Sequence, residues 1–385
     1  MASDALAQSS TLTQEPIVPY IISFKTSIDY HLVSKFEGKI LQEYQNIPAV
    51  VVEISESNVL NLKNSSSQVE FIEPDLKINV VSDVNSLPEP HLMSKVTSQP
   101  LILSESTSTQ TIPWGIEKVN ALEVQKKGFT GKNIKIGIID SGVDYTHDDL
   151  YVTGGISFVK GSPDYMDDFG HGTAVAGIIG AKNNSIGVVG AAPDSQLFAI
   201  KVLDSKGDGY VSDVVSGIDW SIKSNMNIVN LSLTTTTDSK TLKKAVKEAY
   251  RKGVLLISAA GNIGFNEGDT ITYPAAYKEV IAVGAINSRN ERTFYSSSGK
   301  DLELMAPGAS IYSTSPNDQY SMNLGTSMAS PHVTGVAAQI WEATPHLKNK
   351  DIREILDNTA TKMGEKASYG YGLIDALNAL NYTKK

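Results

Sequence analysis

The chain has 385 residues, 41% hydrophobic and 19% charged, enough for two or three domains and for a sizeable buried core. Its 42 acidic and 33 basic residues give a formal charge of −9, spread without long blocks, so a nucleic-acid or anionic-membrane surface has no compositional support. Cysteine is absent, which excludes a thiol nucleophile, thiolate metal sites and disulfides, and no run reaches the roughly 18 apolar residues of a membrane span.

The opening MASDALAQSS lacks the basic and apolar regions of an export signal. Ala5-Leu6-Ala7 before Gln8 has the small-residue spacing left by signal cleavage, a pattern three residues also make by chance. Residues 1–17 are expected to be disordered. Residues 18–80 read as a small α+β unit, with strands VPYIISFK, PAVVVEI and INVV and helical stretches after the first strand and near Val59 to Leu62. Two helices on one antiparallel sheet is the natural packing. Residues 81–108 are rich in Ser, Thr and Pro without periodicity and read as an exposed, cleavable linker.

From Ile134 the texture changes. Apolar runs KIGIID, LFAIKVL, IVNLSL, VLLISAA and VIAVGAI alternate with helical patterns or polar loops, which predicts parallel strands covered on both faces. Val211, Val214, Val215, Ile218 and Ile222 share one helical face, as do Leu242, Ala245, Val246 and Ala249, after which Gly253 supplies a stop. The expected fold is therefore α/β, a doubly wound, mostly parallel sheet whose crevice lies outside the carboxyl ends of its strands. Asp140 closes KIGIID and Asn262 follows VLLISAAG, so both stand where that rule puts a site.

Hydrolysis by a serine needs a base for the hydroxyl proton, an acid to orient the base, and donors for the oxyanion. Asp140 in IIDSGVD lies at a strand end, His171 between Gly170 and Gly172 marks an exposed turn at a helix start, and Ser327 in GTSMASPHVTG opens another helix. A strand-end Asp is common in any α/β fold, and a serine at a helix start is more often an N-cap. The three together outweigh those readings. His332 and His147 are the other histidines near these motifs; His332 would project from the second turn of the serine's own helix, and neither is preferred as the base.

In this order, DSG, HGTAVAG and GTSMASPHVTG closely resemble the three signatures of the subtilisin family of serine proteases, over about 109–385 and including AAGN around Asn262. Residues 18–80, with FIEPD at 71–75, resemble the family's ferredoxin-like inhibitory propeptide. The resemblance implies that Asp140 holds His171 in the right tautomer and that His171 acts as general base and then general acid. Ser327 would form the acyl-enzyme, and Asn262 with the Ser327 amide would bind the oxyanion, in the same Asp, His, Ser chain order that subtilisin itself has.

The resemblance also implies a structural calcium ion on AKNNSIGVVGAAP, held by the carbonyls of Lys182, Ile186 and Val188, the side chain of Asn184, and Asp149 and Gln110. The alternative is that Asn and Gly only build a turn there. No catalytic metal is expected, and Asp167 and Asp168 read as solvated loop charges. A polypeptide substrate would lie as a strand between Gly207, Asp208 and Gly209 on one side and 230–233 on the other. Its first pocket would be lined by Ser232, Leu233, Thr234, Thr235, Ala259, Ala260 and Gly261. Thr234, Thr235 and Thr272 stand where the family usually has small residues, which predicts a narrower, more polar pocket preferring a polar or small residue before the cut.

A monomeric, secreted bacterial enzyme made as a self-processing zymogen is what the family implies. The inhibitory tail would lie within about 76–110, and cleavage in the linker, with Glu105–Ser106 as one candidate, would release it and free Gln110 to reach the calcium loop. The substrate is either general protein or one precursor peptide to be matured. A catalytically dead binding module is opposed by the intact Asp140, His171, Ser327 and Asn262. An α/β-hydrolase esterase is opposed by chain order, since the only acid after Ser327 that is followed by a histidine is Glu342, four residues before His346.

Overall fold

The computed structural model describes residues 17–80, 109–264 and 268–383. The chain divides into two compact units after Asp75, earlier than the expected 80/81 boundary.

In the first unit the strands are β1 (Ile17–Phe24), β2 (Lys39–Glu43), β3 (Ala49–Ser55) and β4 (Val69–Pro74), antiparallel in the order β2-β3-β1-β4. Helices α1 (Tyr30–Lys35) and α2 (Glu56–Ser65) pack on this sheet. Asp29 caps the first by accepting from the Leu32 amide at 2.9 Å, and Ser55 caps the second. Ile22, Phe24, Val50, Val52 and Ile54 from the sheet close on Leu32, Val33 and Leu62 as the core. Two of the four strands, KILQE and VEFIEP, were not anticipated. Their half-exposed, charge-interrupted sequences carry little alternation.

The third expected strand of this unit, INVV, is not part of its sheet. Strand β5 (Lys77–Asn79) belongs to the second unit and pairs antiparallel with β9 (Asp208–Tyr210).

The second unit is built on seven strands: β6 (Lys135–Asp140), β7 (Val152–Ser157), β8 (Gln196–Lys201), β10 (Ile228–Leu231), β11 (Leu255–Ala259), β12 (Val280–Ile286) and β13 (Leu304–Pro307). Their order is β13-β12-β11-β10-β6-β8-β7 and every pairing is parallel. From β6 the chain runs to β7 at one edge and returns to β8 between them, then crosses over to build outward from β10 on the other side. The order therefore reverses beside β6, and a crevice opens at the carboxyl end of that strand. Strands β10, β11 and β12 are buried throughout, as their largely apolar runs predict, and so is β13. A hairpin of β14 (Ile311–Ser315) and β15 (Gln319–Asn323) follows.

Short helices α3 (Trp114–Lys118) and α4 (Ala121–Gln125) enter the domain, and α5 (His171–Gly180), α6 (Val211–Lys223) and α7 (Lys240–Arg251) cover the sheet. Helices α6 and α7 bury the faces their sequences predict, Val211, Val214, Val215 and Ile218 on one and Leu242, Ala245, Val246 and Ala249 on the other. Helix α8 (Thr326–Ala343) is different: every residue from Thr326 to Trp341 is buried. A helix that is small and apolar all round has no face for water and becomes a central element.

Pro331 lies inside α8 and has no amide proton for the carbonyl four residues earlier, that of Ser327. The Ser232 hydroxyl fills the gap, donating to Ser327 O at 2.9 Å. One turn on, His332 is fully buried, its Nδ1 donating to Met328 O at 2.8 Å, and its Nε2 makes no hydrogen bond among the described residues. Burial, opposed in part by that bond, pushes its pKa down to about 4. The unfolded imidazole, near 6.5, thus takes a proton that the folded one refuses, and stability present above that pH is lost as pH falls toward 4. The loss is roughly 3 kcal/mol by pH 4. Urea midpoints at pH 7 and 4.5 are expected to fall less in His332→Gln than in the parent.

Candidate active site

Asp140 ends β6 fully buried, and its carboxylate receives His171 Nδ1 on both oxygens, at 2.8 and 3.0 Å, and the Ser141 amide at 2.7 Å. An Nδ1–H held in this way leaves the Nε2 lone pair as the ring's acceptor, and Nε2 makes no hydrogen bond among the described residues. Burial works against charge on His171. The attraction and hydrogen bond of Asp140, with the more distant Asp167, outweigh it and hold the imidazole above its ordinary pKa.

His171 can approach so closely because it opens α5 and is followed by Gly172, where a Cβ would stand 2.0 Å from Gly142 O and 3.2 Å from Asp140 Cβ. Asp167, expected as a solvated loop charge, is instead buried. It accepts from the Ser141 and Thr173 hydroxyls and from the Phe169, Gly170 and Thr173 amides, so it ties the loop before α5 to the helix's first N–H groups. Asp168 also departs from expectation, since it pairs with the fully buried Lys201 at 2.5 Å. The legible signal was a carboxylate a few residues ahead of a helix start that lacks a side-chain cap.

Ser327 is the second residue of α8 rather than its N-cap, which is Gly325. Asn262 Oδ1 accepts from the Thr326 amide and hydroxyl, both at 2.9 Å, and so is locked to the same turn. A Cβ on Gly325 would lie 3.0 Å from Ser327 Oγ and 3.1 Å from Asn262 Nδ2, so glycine keeps open a small space faced by both atoms. Helices α5 and α8 pack together. No hydrogen bond joins Ser327 Oγ to His171 Nε2 among the described residues, and such bonds commonly tighten only when substrate arrives. His147 is committed elsewhere, its ring bonded to Gln319 O and to the Asp149 amide.

The two edges expected to hold a substrate strand are occupied by the chain itself. Val80 N–H donates to Gly207 O at 3.1 Å, Val211 N–H to Leu76 O at 2.8 Å, and Asn79 exchanges both backbone bonds with Thr234. Ser232 joins Asn230, Ser330 and Ser327 O in one buried network. Leu233 is fully buried, and Thr235 exchanges backbone bonds with Tyr273. Thr272 donates its amide and its hydroxyl to Ala260 O, and its methyl faces Gly261 beside buried Ala259.

The six oxygen-bearing residues of the other candidate site also converge. Gln110 Nε2 lies 2.7 Å from Lys182 O, 3.2 Å from Asn184 Oδ1, 3.4 Å from Ile186 O and 3.0 Å from Val188 O. Two amide protons cannot serve four oxygens. Asp149, fully buried beside them, accepts from Asn184 Nδ2 and the Val188 amide, and burial raises its pKa against those bonds. Gln110 was expected to reach this loop only after cleavage. It is there in the uncut chain while Leu76–Val80 lies in the groove. The Glu105–Ser106 candidate and Ala5-Leu6-Ala7 lie outside the described residues.

Residues 131–372 match the model of the Subtilase family. The chain is 39% identical to subtilisin E of Bacillus subtilis (strain 168) over 384 residues, 97% of this chain and 92% of the relative. It is 48% identical to subtilisin DY of Bacillus licheniformis over 267 residues, 69% and 97% of the two chains. M-protease of Shouchella clausii (strain KSM-K16) is 38% identical over 366 residues, 94% and 88%. Asp140, His171, Asn262 and Ser327 all fall inside the matched span, and relatives align along both units. On sequence and fold together, the chain belongs to the subtilase family and is a subtilisin-like serine endopeptidase.

Proposed function

We propose that this chain is the self-processing precursor of a secreted, monomeric endopeptidase, with residues 18–80 as inhibitory propeptide, 81–108 as linker and 109–385 as the catalytic domain. In this reading Ser327 Oγ attacks the scissile carbonyl as its proton passes to His171 Nε2, and Asp140 stabilises the imidazolium. Asn262 Nδ2 and the Ser327 amide hold the oxyanion, beside the positive end of α8. The carbon–nitrogen bond breaks as His171 returns the proton to the leaving amine. Water then repeats the sequence on the acyl-enzyme. The observation that carries this reading is the two-oxygen grip of Asp140 on His171 Nδ1, which leaves Nε2 ready to accept.

Mass spectrometry of the purified chain beside Ser327→Ala tests it. The parent is expected to shed an N-terminal fragment and the variant to stay whole. A variant cut as fast as the parent would sink self-processing.

Within the endopeptidase class, a narrow first pocket favours small residues before the cut. Thr272 adds bulk, while its hydroxyl is spent on Ala260 O, which supports the small over the polar alternative. Thr234 and Thr235 add bulk to the same wall, in keeping with a maturation protease rather than a general scavenger.

The cage at Gln110 fits a calcium ion, being made of carbonyl and amide oxygens with one carboxylate, Asp149. A half-turn of the Gln110 amide presents Oε1 in place of Nε2. Bound there, calcium supplies positive charge to a buried carboxylate and cross-links residues 110, 149 and 182–188. Calcium at 100 times its dissociation constant would stabilise by about 2.7 kcal/mol. Thermal melts of Ser327→Ala with calcium and with chelator are expected to differ by roughly 5 °C or more, and Asp149→Asn to erase the difference.

A further inference from the structure

Lys201 ends β8 fully buried, beside Asp140 in the parallel register of β6 and β8. An ammonium is tolerated out of water only where its protons are bonded and an opposite charge is near. Its three protons meet three acceptors: Ser141 O at 2.6 Å, Asp168 Oδ1 at 2.5 Å and Leu203 O at 3.0 Å. None is left over.

Each acceptor belongs to a different part of the site. Ser141 follows Asp140 and gives that carboxylate its amide at 2.7 Å, while its hydroxyl donates to Asp167 at 2.9 Å. Asp168 stands three residues ahead of His171, in the loop that enters α5. Leu203 opens the hairpin that returns as β9, closed by the Asp204 amide on Asp208 O and the Gly207 amide on Asp204 O. A second contact joins that loop to that hairpin: the Phe169 ring lies against Gly207, with Cζ 2.8 Å from where a Cβ would stand.

We propose that Lys201 is a positioning residue: one buried cation fixes the loop of His171 and the edge expected to hold a substrate strand against the strand end that carries Asp140. The inference rests on the reading of His171 as the base. Packing alone would not ask for a charge here. Methionine is nearly as long and needs no partner, and replacing a buried ion pair by apolar groups is often neutral or stabilising. What methionine lacks is direction. Three N–H bonds, one of them to a carboxylate, set three segments at fixed distances from one atom. A misplacement of about 1 Å at a catalytic group can cost about 10² in turnover. Asp167 ties the same loop to the Ser141 hydroxyl, so loss of the Lys201 bond loosens the loop without releasing it.

Turnover per active site tests this, with the full chain and its variants titrated to completion by a fluorophosphonate and then assayed on one chromogenic peptide. Asp168→Ala frees the base loop alone and is expected to lower kcat about tenfold while KM stays within about twofold. Asp168→Asn keeps an oxygen acceptor for the ammonium and is expected to recover most of that loss. Lys201→Met also frees Leu203 O at the substrate edge, so kcat falls at least as far as in Asp168→Ala and KM rises several-fold. A merely structural lysine would lower the number of titratable sites or the melting temperature and leave kcat per site unmoved. Where Lys201→Met does not fold, the Asp168 pair decides, because that side chain is 44% exposed and its loss admits water to the ammonium. Variants with the parent's kcat per site, or an Asn variant no better than Ala, overturn the positioning role alone. A parent that neither titrates nor cleaves the peptide overturns the reading of His171 and Ser327 beneath it.

Discussion

Replacing Ser327 by alanine is expected to lower turnover of a peptide substrate by about 10⁶, the scale known for loss of the nucleophile in subtilisin itself. His171→Ala should cost nearly as much, and the double variant little more than either. In the proposed mechanism the two groups perform one step: a hydroxyl without an acceptor for its proton is a poor nucleophile, and an imidazole without the hydroxyl has nothing to activate. What would survive is binding in the groove and the proposed oxyanion donors, Asn262, held to the first turn of α8, and the residue 327 amide. Multiplicative losses in the double variant, measured with a chromogenic peptide and with the integrity of each chain checked by mass, would show that the residues act independently and that the proposed roles are wrong.

Much of this site is legible in the sequence, because its motifs are local. Asp140 at a strand end, His171 between glycines and Ser327 at a helix start are features of short sequence windows, and the parallel sheet announces itself through apolar runs that need no partner to be recognised. The convergence of Gln110 with the oxygens of Lys182, Asn184, Ile186 and Val188 was expected only through family resemblance. What escaped depends on partners distant in sequence. INVV is apolar and β-branched, but nothing within it says that its edge is Asp208–Tyr210 rather than the sheet ending at Pro74. Asp167 looks like a loop charge until its own turn, Thr173 of α5 and Ser141 beyond β6 together bring three amides and two hydroxyls to it. That Pro331 frees the serine's carbonyl for Ser232 appears only when β10 and α8 are seen side by side.

Asp140→Asn is the variant in which geometry is kept and electrostatics removed. An Asn amide fits the same space, but it offers one acceptor instead of two charged oxygens, and its NH₂ can bond Nδ1 and so favour the tautomer with the proton on Nε2, where it blocks attack. A loss of about 10⁴ in kcat near neutral pH is expected, the magnitude reported when the orienting Asp of another serine-protease triad is so changed. The pH profile separates this from a general loss of structure. In the parent the folded pKa of His171 is raised because the Asp140 attraction outweighs burial, so the basic form needed for catalysis accumulates only above the ordinary value near 6.5, and the acid limb of kcat/KM lies there. Without the carboxylate, burial dominates and the limb shifts to lower pH. The same pair stabilises the fold at pH below about 6.5 and loses that contribution as pH rises through the higher folded value, so the parent's advantage in urea over Asp140→Asn should shrink from pH 6 to pH 9. An Asn variant with an unmoved acid limb, however slow, would mean that another group sets the imidazole's proton affinity and that Asp140 does not hold the base.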